Sequence, residues 1–167
     1  MPTFEPTVTP SMEPSISPTQ KRTEGFNGYV YHLTYTKKTW SNHYASAIEW
    51  GGDLVSIRDD RELEFIEENF FNATDRLFIG GMKLNGSDDT DGSQDAWKWS
   101  DGTPWDFSPW NRGQPDNAGG NDNRIFLRFD GKFFDTSETL REFGLYKKVS
   151  GILIKYKEGV LNHDTCS

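Results

Sequence analysis

Residues 83–123 carry almost no helical or strand periodicity, and this stretch restricts the fold more than any other part of the chain. It is rich in Gly, Asp, Asn and Trp, as in "DAWKWSDGTPWDFSPWNRGQPDNAGGNDN" (95–123). A loop this long survives in a compact domain only if it packs on its own side chains or carries function. Trp97, Trp99, Trp105 and Trp110 can supply that packing. The fold must therefore bracket one long, internally packed loop between regular elements.

Those elements are legible on both sides. "GYVYHLTY" (28–35) is β-rich and reads as a first strand. "TKKTWSNHYASAIEW" (36–50) takes helical spacing, with Trp40, Tyr44, Ala47 and Ile48 on one face and Gly51-Gly52 as its stop. "DLVSI" (53–57) reads as a short strand, and "RDDRELEFIEENFF" (58–71) as a second helix with acids in its first turn. Leu63, Ile66 and Phe70 form that helix's core stripe. "RLFIGGM" (76–82) is a buried strand, and "RIFLRFDGKFFD" (124–135) two strands around an Asp130-Gly131 turn. "SGILIKYK" (150–157) is expected as the last strand, paired with the first.

Ahead of the globular part, prolines fall at 2, 6, 10, 14 and 18, each followed by Thr or Ser. Fixed φ angles exclude helix and bias such a segment to extended geometry. Residues 1–24 are thus expected to be a spacer, with hydroxyls open to O-glycans or bare; 25–160 the domain; and 161–167 a tail. The net charge of −8 argues against nucleic acid and anionic membrane, which call for clustered Lys and Arg, and suits cations. No run of about 18 apolar residues offers membrane insertion. Cys166 is the one cysteine, so a disulfide could form only to another chain.

The order of W…A in the first helix, "GGDLVSI", "FIGG", "WKWSDGTPWDFSPWNRGQPD" and "DGKFFD" resembles the C-type lectin-like domain, over residues 26–157. The resemblance implies an α+β fold: two helices and two small antiparallel sheets with a long irregular loop region carrying the binding site. It also implies a calcium site. Sugar-binding members carry a Glu-Pro-Asn or Gln-Pro-Asp triplet, an acid eight residues after its first position, and an Asn-Asp pair twenty and twenty-one after. Here these positions are Gln114-Pro115-Asp116, Asp122, Phe134 and Asp135. The chemistry agrees: calcium takes about 6–8 hard oxygen ligands, and carboxylates with an amide oxygen on a glycine-rich loop supply them. The expected metal ligands are Gln114, Asp116, Asp122 and Asp135, and the ligand-binding set adds Phe134.

Two departures shape the functional expectation. The family's four framework cysteines are replaced, by register, at Ala47, Arg124, Lys155 and near Glu138. Phe134 stands where the family's Asn serves both the ion and a sugar hydroxyl, and offers oxygen to neither. Gln-Pro-Asp resembles galactose-type members, although Ala118 and Gly119 follow where such members place an aromatic ring. An auxiliary calcium site would draw on the amides of Asn117 and Asn123. The expected function is a calcium-dependent carbohydrate-binding module, partnered by a glycan or glycoprotein. The alternative is a calcium-independent scaffold of the same fold that binds protein or another surface, favoured by Phe134 and by tryptophans taken as exposed. An enzyme is not expected, because His32, His43 and His163 are scattered and no nucleophile motif is present. Sequons at Asn72 and Asn85 fit an extracellular glycoprotein, secreted or on a cell surface as part of a longer precursor.

Overall fold

A computed structural model describes residues 23–71, 76–88 and 90–150. Strand β1 (Thr23–Phe26) pairs antiparallel with β2 (Tyr29–Leu33). Asn27 and Gly28 both take positive φ (46° and 82°), the turn that matches the twist of a two-residue hairpin. The first strand thus begins two residues inside the segment assigned to the spacer.

Helix α1 (Trp40–Glu49) is capped by Thr39, whose side chain accepts the Asn42 N–H, and ends at Gly51, with φ 89°. Its buried face is Trp40, His43 and Ala47, rotated from the expected stripe: Ile48 is 50% exposed. Buried hydrogen bonds hold His43 inward. Its Nε2 meets the Glu142 carbonyl at 2.7 Å and its Nδ1 meets the Tyr146 hydroxyl at 2.8 Å. A carbonyl only accepts, so Nε2 carries the proton and Nδ1 takes the hydroxyl hydrogen. Burial holds the His43 pKa below its ordinary value.

Strand β3 (Asp53–Leu54) is shorter than the expected 53–57. The rest of that segment is buried and irregular, with the Val55 N–H donating to the Leu145 carbonyl and the Val55 carbonyl accepting the Gly80 N–H. Helix α2 (Asp60–Phe70) is capped by Asp59, whose carboxylate accepts the Glu62 N–H at 2.9 Å. Leu63, Ile66 and Phe70 enter the core as their spacing indicates. Strands β4 (Arg76–Lys83), β5 (Trp97–Trp99), β6 (Asp122–Arg128), β7 (Phe133–Ser137) and β8 (Phe143–Val149) follow.

The strand order is β1-β2-β8-β4-β6-β7, with β3 also on β8 and β5 on β4. Two antiparallel groups exist as expected, but a parallel β4–β8 pair joins them into one mixed sheet. The strand beside β2 is β8; the expected strand 150–157 lies outside the described residues beyond Ser150. The β6–β7 hairpin forms, with Gly131 at φ 70° in its turn.

The long loop is packed rather than extended into solvent. Trp97, Trp99 and Trp105 are almost fully buried. With Trp110 and Phe133 they form one aromatic cluster, its ring centroids 4.6–6.4 Å apart. The tryptophans are therefore not the exposed binding surface that the scaffold alternative invoked. Three indole N–H groups fasten the loop to itself: Trp97 to the Asp91 carbonyl, and both Trp105 and Trp110 to the Gly92 carbonyl, at 2.9–3.1 Å. The loop also runs beside β7, with Phe133 N–H donating to the Pro109 carbonyl and Asn111 N–H to the Phe133 carbonyl. At Gly92 an added Cβ would collide with the Trp110 indole nitrogen. Gly92→Ala is expected to cost about 1–3 kcal/mol in urea unfolding, and an unchanged midpoint would show that the loop tolerates repacking there.

Candidate functional site

The loop leaving this cluster reaches Gln114-Pro115, a cis peptide bond, and then Asp116. Strand β6 begins at Asp122, and β7 places Asp135 opposite Ile125. One carboxylate oxygen from each of Asp116, Asp122 and Asp135 lies within 4.8 Å of the others. Asp122 and Asp135 are buried, whereas Asp116 is exposed.

A web of short local hydrogen bonds sets these positions. The Asp135 carboxylate accepts the backbone N–H groups of Asp116 (3.2 Å) and Asn117 (2.8 Å). Asp135 donates its own N–H to Gln114 Oε1 at 3.3 Å, which seats the amide oxygen beside the acids. Asn117, at φ 48°, turns the chain so that its Oδ1 accepts the Asp122 N–H at 2.9 Å. Asp122 Oδ2 in turn accepts the Gly119 N–H at 2.6 Å. Burial pushes the Asp135 carboxyl pKa up, as do the neighbouring charges of Asp116 and Asp122, while the two N–H donors pull it down.

The donor set fits a hard cation. Three carboxylates converge, the Gln114 amide oxygen bonds the backbone N–H of one of them, and a positive charge would relieve the crowding of like charges. Of the four expected metal ligands, the three acids Asp116, Asp122 and Asp135 lie together, and Gln114 is tied to the Asp135 backbone. Beside them lies a concavity of about 370 Å³, between the 83–87 turn and residues 117–124. Asn117 and Asn123 both line it, and Asn123 Oδ1 is buried without a hydrogen-bond partner.

Phe134 is not brought among the acids. Side chains alternate along a strand, so Phe134 and Asp135 leave β7 on opposite faces. The Phe134 ring is half-buried and stacks on Phe126 across the hairpin, with centroids 5.3 Å apart and planes 2° from parallel. The Arg128 guanidinium lies 4.6 Å from its centroid.

The framework positions have also found other partners. Arg124 and Glu138 form an ion pair at 2.7 Å, and Ala47 is buried in a cluster with Trp40, Leu54, Phe78 and Tyr146. Lys155 lies outside the described residues. The sequence reading missed a second ionic element, far from the acids along the chain. Lys147 Nζ meets Glu62 Oε1 at 2.6 Å, both side chains are about 5% exposed, and the Tyr31 hydroxyl donates to the same oxygen. Only the position of Glu62 three residues after an N-capping Asp signalled a special role.

No family model matches the chain. It is 33% identical to the human C-type mannose receptor 2 over 69% of this chain and 7% of that receptor. It is 30% identical to a C-type lectin of Cerberus rynchops over 60% of this chain and 63% of that protein. The chain thus spans a small fraction of the receptor's length. Among solved structures, the C-type lectin CEL-I from Cucumaria echinata superposes with a TM-score of 0.66 at 21% identity, over 75% of this chain and 93% of that one. A calcium-independent type II antifreeze protein superposes equally well, at 0.66 and 22% identity over 76% and 91%. Order of elements, long loop and these likenesses agree: the chain is similar to C-type lectins and has the C-type lectin-like fold.

Proposed function

We propose that this domain is a calcium-dependent carbohydrate-binding module. The observation that carries the reading is the convergence of the Asp116, Asp122 and Asp135 carboxylates, with Gln114 bonded to the Asp135 backbone. Bound calcium would supply a positive centre for vicinal sugar hydroxyls. Gln114 and Asp116, on either side of Pro115, would orient such hydroxyls, and Asp122 and Asp135 would hold the ion's inner side. The Gln-Pro-Asp triplet favours a galactose-type ligand. The relatives named above are lectins and receptors, and this domain is not an enzyme. That they are receptors and lectins supports an extracellular setting, with Asn85 and Asn72 as glycan acceptors and Cys166 as the cysteine for a bond to another chain; Asn72 and Cys166 lie outside the described residues. Among the described residues, no helix is long and apolar enough to cross a membrane.

The calcium-independent scaffold keeps one specific support: loop N–H groups already satisfy Asp135, so the loop is held without an ion. A glycan array read in calcium and in chelator separates the two. Binding to terminal galactose in calcium alone supports the lectin reading, and binding indifferent to chelator supports the scaffold. The same array tests Phe134→Asn. Because Phe134 stacks on Phe126 rather than facing the acids, the expected outcome is a stability loss of about 1 kcal/mol without gain of sugar binding. A gain of galactose binding would mean that β7 can re-aim this position toward the ion.

A further inference from the structure

We infer that Arg124 is a positioning residue for the carboxylate site, clamping the two strands that carry its buried acids. The inference rests on the reading of Asp116, Asp122 and Asp135 as a cation site. Asp122 opens β6 and Asp135 lies in β7, and the pairing between these strands is irregular where the site is built: its register shifts between Asp122 and Arg124. A bulge there aims Asp122 but locally weakens the ladder. Arg124 sits at the end of that irregularity. Its Nη1 donates to the Asn123 carbonyl at 2.8 Å, and its Nη2 to Glu138 Oε2 at 2.7 Å, just past the end of β7. Its guanidinium also lies 4.5 Å from the centroid of Trp40, a buried residue of α1. One planar group therefore holds the backbone next to Asp122, the chain three residues beyond Asp135, and the helix behind both. Its fork geometry makes this possible, and a lysine could not reproduce it. The Arg124 side chain is 14% exposed and that of Glu138 43%, so the clamp is buried on one side and reachable by solvent on the other.

Electrostatics and positioning predict opposite signs, which makes the inference testable. If Arg124 acted only through its charge, R124A would leave Glu138 unpaired and tighten calcium, whereas E138Q would leave the cation and weaken it. If Arg124 positions the acids, both variants weaken calcium. The experiment is calorimetric calcium titration of the wild-type chain, R124A, E138Q, R124K and R124C/E138C, with backbone amide exchange of residues 116–123 measured in chelator. The expected result is a roughly tenfold or greater loss of affinity in R124A and E138Q, about 1.4 kcal/mol, and little rescue by R124K. Affinity in R124C/E138C should be high when oxidised and fall on reduction of the same sample. Faster exchange of the Asn117 and Asp122 amides in R124A, even in chelator, is also expected. Opposite shifts in R124A and E138Q overturn the inference, as does a melting temperature that falls without change in affinity or exchange. If the wild-type chain binds no calcium but the exchange effect is present, the clamp stands and the cation reading falls. If exchange is unchanged as well, both fall.

Discussion

Millimolar calcium should raise the melting temperature of the domain, and Asp122→Asn should abolish the rise. A ligand that binds only the native state stabilises it by RT ln(1 + [L]/Kd), about 2.7 kcal/mol at a hundredfold excess over Kd. For a domain of this size that corresponds to a shift of roughly 10 °C. Asparagine at 122 keeps an acceptor for the Gly119 N–H, so the loop retains its hydrogen bond while one buried carboxylate charge is removed. The comparison therefore isolates the ion. A wild-type melting temperature indifferent to calcium would end the cation reading and leave the scaffold. A shift that persists in Asp122→Asn would place the ion elsewhere.

The second large effect lies in the core. Lys147→Met should destabilise the domain by about 3–5 kcal/mol, because it strands the Glu62 carboxylate in a site that is about 5% exposed. Lys147 donates to Glu62 Oε1 and to the Ser56 carbonyl, while Glu62 also accepts from the Tyr31 hydroxyl and the Arg58 N–H. Burial holds the lysine's pKa below its ordinary value, with Glu62 pulling it back up. Burial, reinforced by the Glu62 charge, pushes the Tyr31 hydroxyl well above its usual range. Replacing both partners by apolar residues, as in E62L/K147M, should recover most of the loss, since neither charge then remains unpaired. Urea midpoints of the two single variants and the double variant decide the matter. A single-variant cost below about 1 kcal/mol would mean that water reaches the stranded partner.

Much of this was legible in the chain. The turns at Gly51-Gly52 and Asp130-Gly131, the stripe of α2, and the spacing that brings Asp116, Asp122 and Asp135 together depend on local rules or fixed register, and these recur in the structure. What escaped depended on tertiary partners. His43 and Ile48 lie on opposite flanks of the Trp40–Ala47 line of α1, and hydrophobicity favours turning the Ile48 flank inward. The hydrogen bonds that reverse the outcome come from Glu142 and Tyr146, about a hundred residues away. Glu62 reads as one more acid at a helix start until Lys147 arrives from β8. Phe134 follows the family register, but strand alternation and the waiting Phe126 ring decide where it points. The parallel β4–β8 contact leaves no mark on either segment, because the residues it pairs, Leu77 with Phe143 and Phe78 with Gly144, suit a strand of either direction.

The run of Pro109–Asn111 along β7 bears on how copies of this protein coexist in solution. A terminal strand with free N–H and C=O groups is a template for another chain's strand, and proteins that leave such templates open risk ordered aggregation. Here the main-chain groups of Phe133 are already taken by Pro109 and Asn111, and the N–H of Asp135 by the Gln114 side chain. The opposite margin of the sheet is β1, only four residues long. Within the described residues, then, the loop that presents the acids also shields the sheet from recruiting its own kind, so shortening it to simplify the site should lower the concentration at which the protein stays monomeric.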